Sequence, residues 1–487
     1  MSPGMLLVFT TLMPVAAAVA VLLFRNQPNI RESSTLVFGG LTFWHVWGIL
    51  HQVRDHGAPR IELLEVVPGV QLAFEAEPLG MIFALVASFL WPVTSLYAIG
   101  YMRGHHEENQ TRFFFFFAIA IAGALGVAFS ANLFTLFVFY EFLTLCTFPL
   151  VTHHQTEEAK RSGRIYLGIL LTTSIGFQLV AIIWTWVLAG TLDFRTGGIL
   201  AGTASTAVLS AILVLYVYGV GKAAVMPFHR WLPAAMVAPT PVSALLHAVA
   251  VVKAGVFTVL KIAVYVFGID LLQTLTTTTW LAWAAGTTII LASLVAFKKD
   301  NLKARLAYST ISQLSYIVLG AMLANEMGIM GGGMHIAMHA FGKITLFFAA
   351  GAVMVAAHEK KISRMHGLGR TMPLTFGAFF IGSLSIIGVP PAGGVWSKWY
   401  LGLGTLEAGQ IGLLTVLMVS SLLSLVYLLE VPVRAFFSPP PEGVDHGEGI
   451  KEAPITSLIA IVITALATMA LFFEPGPFYD LVTMVNL

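Results

Sequence analysis

Apolar runs of about 20 residues, each long enough to cross a bilayer, recur about 14 times between Met5 and Phe473. A chain divided in this way has little length left for a soluble domain. Composition agrees: of 487 residues, 57% are hydrophobic and 10% charged, and the mean hydropathy of +0.85 lies outside the range of soluble globular domains. The expected fold is an all-α polytopic membrane protein. Its first run, Met5 to Phe24, has no Lys or Arg ahead of it and reads as an uncleaved span rather than a signal peptide.

Several function classes drop out early. The single cysteine, Cys146, excludes intrachain disulfides, cysteine-held Fe–S clusters and Cys-rich zinc sites. The stretch "FGKIT" at Phe341 lacks the upstream glycine of a phosphate-binding loop, and no strand-G-x-G-x-x-G unit is present. No cofactor is expected. A net charge of +2 spread over many loops gives no basis for nucleic-acid binding.

Sorting the 26 Lys and Arg residues gives an orientation. Only Arg54, Arg60 and Arg195 fall in loops after even-numbered spans, and five lysines fall in no loop. The remainder lie in loops after odd-numbered spans, which should be cytoplasmic, with both termini outside.

The five lysines are Lys222, Lys253, Lys261, Lys343 and Lys398. A lysine at a helix centre costs about 2.5–3.5 kcal/mol on insertion scales, so a chain that keeps several is expected to use them along an interior polar path. Lys261 stands late in its span and is long enough to snorkel to an interface instead. Glu141 is the one acid read as lying at mid-span, and beside a lysine it would govern that lysine's proton affinity. Glu141 and Lys222 are the expected pair. His335, His339 and Lys343 recur at a spacing of four and share a helix face, suited to proton relay. A metal site is the competing reading of H-x-x-x-H, but no acidic third ligand of the H-E-x-x-H kind accompanies it. His247 precedes Lys253 by six residues, roughly 240° around a helix, and would serve a neighbouring part of the path.

Prolines interrupt two of the lysine-bearing spans: Pro227 in "GKAAVMPFHRW", and Pro390 and Pro391 in "GVPPAGGVWSK". Proline frees backbone carbonyls, which is tolerable in a membrane only where protein or water satisfies them. These are the seventh and twelfth spans, five apart and oppositely directed, the pattern of an inverted repeat with function at the breaks. The expected organisation is residues 1–112 as spans 1–3 with an outward hairpin at Pro68-Gly69, and 113–266 as the first five-helix repeat. Residues 279–434 would form the second repeat, and 435–487 a polar cytoplasmic linker and the last span.

Taken together, Glu141 in "FYEFLTL", Lys222 before "PFHRWLP", "APTPVSALLHA", "VKAGVF", "NLKARLAYSTISQLSY", "HAFGKITLF" and "GVPPAGGVWSK" carry a family resemblance. The chain resembles the antiporter-like subunits shared by Mrp-type cation/proton antiporters, respiratory complex I and membrane-bound hydrogenases. The resemblance implies a coupling pair at Glu141 and Lys222. It also implies lateral proton carriage by Lys253, His335, His339 and Lys343, and exchange with bulk at Lys398. It further implies other membrane subunits as partners, H⁺ and Na⁺ as the transported ions, and a plasma-membrane location. Lys398, where one complex I member carries glutamate, is similar to the Mrp D-type subunit, as is an end soon after the last span. The histidine-bearing "SALLHAVAVVKAG" looks more like A-type and hydrogenase-type members. A redox-driven pump and a proton-coupled partner in inorganic-carbon uptake therefore stand beside the Na⁺/H⁺ antiporter.

Overall fold

The computed structural model describes residues 2–440, 442, 443, 446 and 449–485, with the side chain of His247 outside that set. Helices α1 (Pro3–Leu23) and α2 (Pro28–His56) lead into a hairpin of β1 (Arg60–Val67) and β2 (Val70–Glu75). Then follow α3 (Pro78–Gly104), α4 (Gln110–Ala128), α5 (Leu133–Val151), α6 (Glu157–Thr173), α7 (Leu179–Ala189) and α8 (Thr206–Gly219). Short α9 (Trp231–Ala234) and α10 (Thr240–Ala244) precede α11 (Val251–Ile262) and α12 (Ile269–Thr274). The rest comprises α13 (Thr276–Lys298), α14 (Leu302–Met322), α15 (Glu326–Ala357), α16 (Pro373–Ile387), α17 (Gly394–Glu407), α18 (Ile411–Phe437), α19 (Ile455–Phe473) and α20 (Gly476–Thr483).

Among the described residues, nine helical stretches are long and apolar enough to cross a membrane. The protein is a multi-pass integral membrane protein. A total of fourteen crossings requires α2, α14 and three interrupted segments to cross as well. The apolar runs are cut into helices by polar caps: Asn132, Asn301 and Asn325 each accept a backbone N–H three residues on, at 2.8, 3.0 and 2.8 Å. The hairpin turns at Pro68-Gly69 as expected, with Arg60 opposite Glu75. It is held to the bundle by Glu75 N–H donating to Phe129 O at 2.7 Å.

Both expected breaks are present. After α8, a 3₁₀ turn over Gly221–Ala223 ends at Ala224 with φ +55°, and Met226–Pro227 is cis. After α16, Gly388 takes φ +87°, and Pro390–Pro391 is cis before α17 begins. Two further spans are also irregular. π turns at Ser174–Gln178, Leu245–Val249 and Ala263–Phe267 interrupt them. A π turn changes hydrogen-bond register by one residue without needing proline or glycine, so composition carries no sign of it.

Two glycines bring the working elements together. A Cβ on Gly255 would lie 2.4 Å from the carbonyl carbon of Lys222, so only glycine lets α11 lie against the first break. A Cβ on Gly331 would lie 2.6 Å from Leu401 N and 2.9 Å from Ser397 O, so this position lets α17 close on α15. Gly255→Ala is accordingly expected to destabilise the protein by about 1–3 kcal/mol through overpacking. Gly168→Ala in α6, where a Cβ meets nothing within 4 Å, should be neutral or add up to about 1 kcal/mol. Melting temperatures of the two variants in detergent would check the contrast.

Candidate functional site

Lys222 sits in the 3₁₀ turn of the first break, fully buried. Its ammonium donates to Tyr140 O at 2.9 Å and Thr144 Oγ1 at 2.5 Å, and lies 3.2 Å from the centre of the Tyr140 ring. Its backbone N–H donates to the Tyr140 hydroxyl at 3.1 Å. Tyr140 and Thr144 are four apart on α5 and face the break together.

Glu141, one residue round the same helix, points elsewhere. Its two oxygens are buried without a hydrogen-bond partner, and among the described residues no cation approaches it within 4.0 Å. The expected direct pair with Lys222 is therefore not formed. Glu141 borders a face of α5 where Val138, Phe142 and Leu145 are exposed.

A polar track crosses the middle of the bundle. Lys253 on α11 is fully buried, with Nζ 2.7 Å from His339 Nδ1 on α15. The His339 ring lies 5.7 Å from that of His335. His335 Nδ1 is 2.8 Å from Ser397 Oγ on α17, and its ring stacks on Tyr316 at 5.6 Å. Lys398 follows Ser397 in the chain; its Nζ is 4.8 Å from the Tyr316 ring centre and donates to Ile387 O and Ser421 Oγ, each at 3.0 Å. It borders a cavity of about 570 Å³ that is mostly apolar and flanked by exposed Trp399.

Lys343 does not lie between His339 and Lys398. Its Nζ donates to Ser309 Oγ at 2.6 Å, and Ser309 accepts from the Tyr427 hydroxyl at 2.9 Å. It forms a branch towards α14 and α18. His335, His339 and Lys343 thus share one helix but meet three different neighbours. His247 occupies the second π turn, its side chain outside the described residues. Pro227, Pro390 and Pro391 stand in the two breaks and contribute backbone shape.

One expectation about buried charge is corrected. Lys261 does not reach an interface: it is fully buried and 3.3 Å from Glu77 Oε1. Two further acids that the sequence did not single out are buried nearer helix starts, Glu77 at the N-cap of α3 and Glu32 near the start of α2. Glu77 precedes Pro78 and caps α3, accepting from Leu79 N and Gly80 N at 2.7 Å each. Its place ahead of "PLGM" marks a helix start in the sequence, and the return of the hairpin is what sinks it. The hydroxyls of Tyr140, Thr144, Ser309 and Ser397 left no such mark. No group of three or more His, Cys, Asp or Glu able to hold a metal occurs among the described residues.

Residues 130–424 match the family described as NADH:quinone oxidoreductase/Mrp antiporter, transmembrane. The chain belongs to this family. It is 33% identical over 417 residues to NADH-quinone oxidoreductase subunit N of Desulforudis audaxviator (strain MP104C), covering 83% of this chain and 82% of that protein. It is 30% identical over 427 residues to subunit L of Campylobacter jejuni subsp. jejuni, covering 87% and 69%. Its fold matches a chain of the Mrp complex from Dietzia sp. DQ12-45-1b with a TM-score of 0.87 at 22% identity, covering 99% and 97%. A chain of an archaeal membrane-bound sulfane sulfur reductase matches with a TM-score of 0.86 at 24% identity, covering 99% and 96%. The antiporter-like fold expected from the sequence is the fold observed.

On the face of this antiporter-like subunit that carries the basic loops, a cleft of about 590 Å³ is lined by His105, Glu107, His154, Thr240 and Lys303. Three histidines gather round Glu107: His105 at 3.1 Å, His154 at 3.2 Å and His153 at 4.0 Å. Burial pushes the Glu107 carboxyl up, but the His154 hydrogen bond and the histidine charges outweigh it and hold it below the usual carboxylate range. Burial, and then the Arg112 charge, pushes His153 down to about 4. An unfolded histidine takes its proton near 6.5, so the contribution of neutral His153 is fully present above about pH 6.5. It is lost as pH falls from about 6.5 towards the folded value. The melting temperature should fall over this window, and His153→Asn should flatten the fall; thermal unfolding at pH 7 and pH 5 would check it.

Proposed function

We propose that this chain is a proton-translocating subunit of a multisubunit complex in the plasma membrane, and that the complex exchanges a monovalent cation, Na⁺, for protons. The observation that carries the proton reading is the run from Lys253 through His339 and His335 to Lys398, which joins titratable groups through direct contact, Ser397 and the Tyr316 ring. Such a run passes protons but is a poor route for Na⁺, which needs a cage of oxygen ligands. Lys222, held by neutral oxygens, would trade its proton as the charge of Glu141 shifts, and Lys253, His335, His339 and Lys398 would carry it on. His247 would serve the stretch beside Lys253, and Lys343 would serve the branch to Ser309.

Glu141 and Lys398 both border exposed apolar surface. A charge left facing lipid is costly, so these two edges suit contact with other membrane subunits, and a change in a neighbour would there reset the charge balance. An antiporter is supported by the match to nearly the full length of a chain from an Mrp complex. A second reading, the membrane arm of a redox-driven pump, is favoured by relatives named as NADH-quinone oxidoreductase subunits. Coupling to inorganic-carbon uptake has no such support.

Proton flux in inverted vesicles carrying the chain with its native partner subunits tests this. Flux released by added Na⁺ and lost in Lys222→Ala is the expected result; flux that needs an electron donor and ignores Na⁺ would select the redox pump. Glu141→Ala should lower transport at least tenfold with the complex still assembled. Undiminished transport in that variant would overturn the role given to Glu141.

A further inference from the structure

The buried pair that this mechanism leaves unused is Lys261 with Glu77. Lys261 stands two helical turns beyond Lys253 on α11, about 12 Å along the axis and within about 80° of the same face. Its ammonium donates to Ser130 O at 2.6 Å and faces Glu77 Oε1 at 3.3 Å, with the Phe194 ring centre at 4.4 Å. Glu77 also accepts from the Tyr265 hydroxyl at 2.9 Å. A small cavity of about 130 Å³ adjoins the pair, lined in part by Glu75, Glu77, Ser130, Lys261 and Tyr265. Beyond it, Glu75 on β2 meets Arg60 on β1 at 3.4 Å, and Arg60 meets Asp193 at 3.2 Å. Side-chain exposure rises outward, from 0% at Lys261 and 11% at Glu77 to 26% at Glu75. Besides capping α3, Glu77 thus begins a step of two acids, Glu77 and then Glu75, that leads from the buried ammonium towards water.

We infer that Glu77 and Lys261 form a proton-exchange site between the interior of this subunit and the aqueous phase on the hairpin face, reached through Glu75. The inference rests on the proton-translocating function proposed above and adds an outlet in the first half of the chain, separate from Lys398. In the exchange, an N–H proton of Lys261 passes to the Glu77 carboxylate, leaving a neutral amine and a carboxylic acid. Glu77 then releases that proton to water in the cavity, with Glu75 as the next acceptor. Lys261 is recharged by a proton arriving from the Lys253 side. Among the described residues, Glu75, Arg60, Glu62, Asp193 and Tyr265 are the other charged or titratable groups at the site and set its balance.

The test uses the intact complex in inverted vesicles, with the hairpin face towards the lumen and lumenal pH varied at fixed outer pH. The double variant Glu77→Gln/Lys261→Met removes both charges, so neither is left buried and alone. It should lower steady proton transport at least tenfold. Glu75→Gln should shift the dependence on lumenal pH and leave the dependence on outer pH unchanged, which loss of a merely structural contact would not do. An assembled double variant that transports like the parent would overturn the inference. Should the double variant fail to assemble, Glu75→Gln decides, and an unshifted lumenal profile overturns it. Transport unaffected by Lys222→Ala would instead overturn the functional reading, and this outlet with it.

Discussion

An ammonium group inside a membrane protein needs oxygen ligands, and where they come from organises this bundle. Lys222 takes Tyr140 O and Thr144 Oγ1, Lys343 takes Ser309 Oγ, Lys398 takes Ile387 O, and Lys261 takes Ser130 O. Ile387 is the last residue of α16, and Ser130 lies just past the end of α4. Carbonyls at helix ends lack an intrahelical partner and carry the negative end of the helix dipole, so they are ready ligands for a cation. A broken helix makes such ends in mid-membrane, where an unbroken one has none. The second break does this for Lys398 through Ile387 O, whereas Lys222 at the first break takes its carbonyl from the middle of unbroken α5.

Neutral ligands also decide what the lysines can do. A carboxylate in direct contact holds an ammonium charged against loss of its proton to any other group, although the carboxylate itself can take that proton and neutralise both partners. A carbonyl or hydroxyl satisfies the ammonium yet exacts less when the proton leaves. Of the five lysines that fall in no loop, Lys222, Lys253, Lys343 and Lys398 have no carboxylate within 4.0 Å among the described residues, and Lys253 faces an imidazole instead. Lys261 alone has an acid beside it, and that acid leads towards water.

The sequence showed this machinery unevenly, for physical reasons. Buried charges and prolines were legible because their cost is local: Lys222, Lys253, Lys343 and Lys398 stand out in any apolar run, and Pro227 and Pro391 mark the breaks. Partner choice was not legible. Whether Lys222 meets Glu141 or the Tyr140–Thr144 pair depends on the rotation of α5 by one residue, about 100°, which packing fixes and composition does not. The burial of Lys261 depends on a hairpin that carries Glu77 back over the bundle from more than 180 positions away in the chain. The hydroxyls of Ser309 and Ser397 resemble many others in membrane helices, and only the tertiary fold selects them.

Charge along the track limits where a second ion can travel. Each protonated lysine repels a cation, and inside a low-dielectric bundle that repulsion acts over longer distances than in water. A sodium ion entering near Lys253 or Lys398 would compete with the protons already held there and would find mostly imidazole, hydroxyl and apolar neighbours. Of the buried acids, Glu77 is occupied by Lys261, and Glu32 by Arg31 and Arg103. Glu141 is left with both oxygens free, at the border of the exposed α5 face. Under the antiporter function proposed above, a cation route therefore fits best outside the lysine track, where the exposed face of α5 is free to meet a neighbouring subunit. There, the charge of an arriving cation would be felt first by Glu141 and then by Lys222.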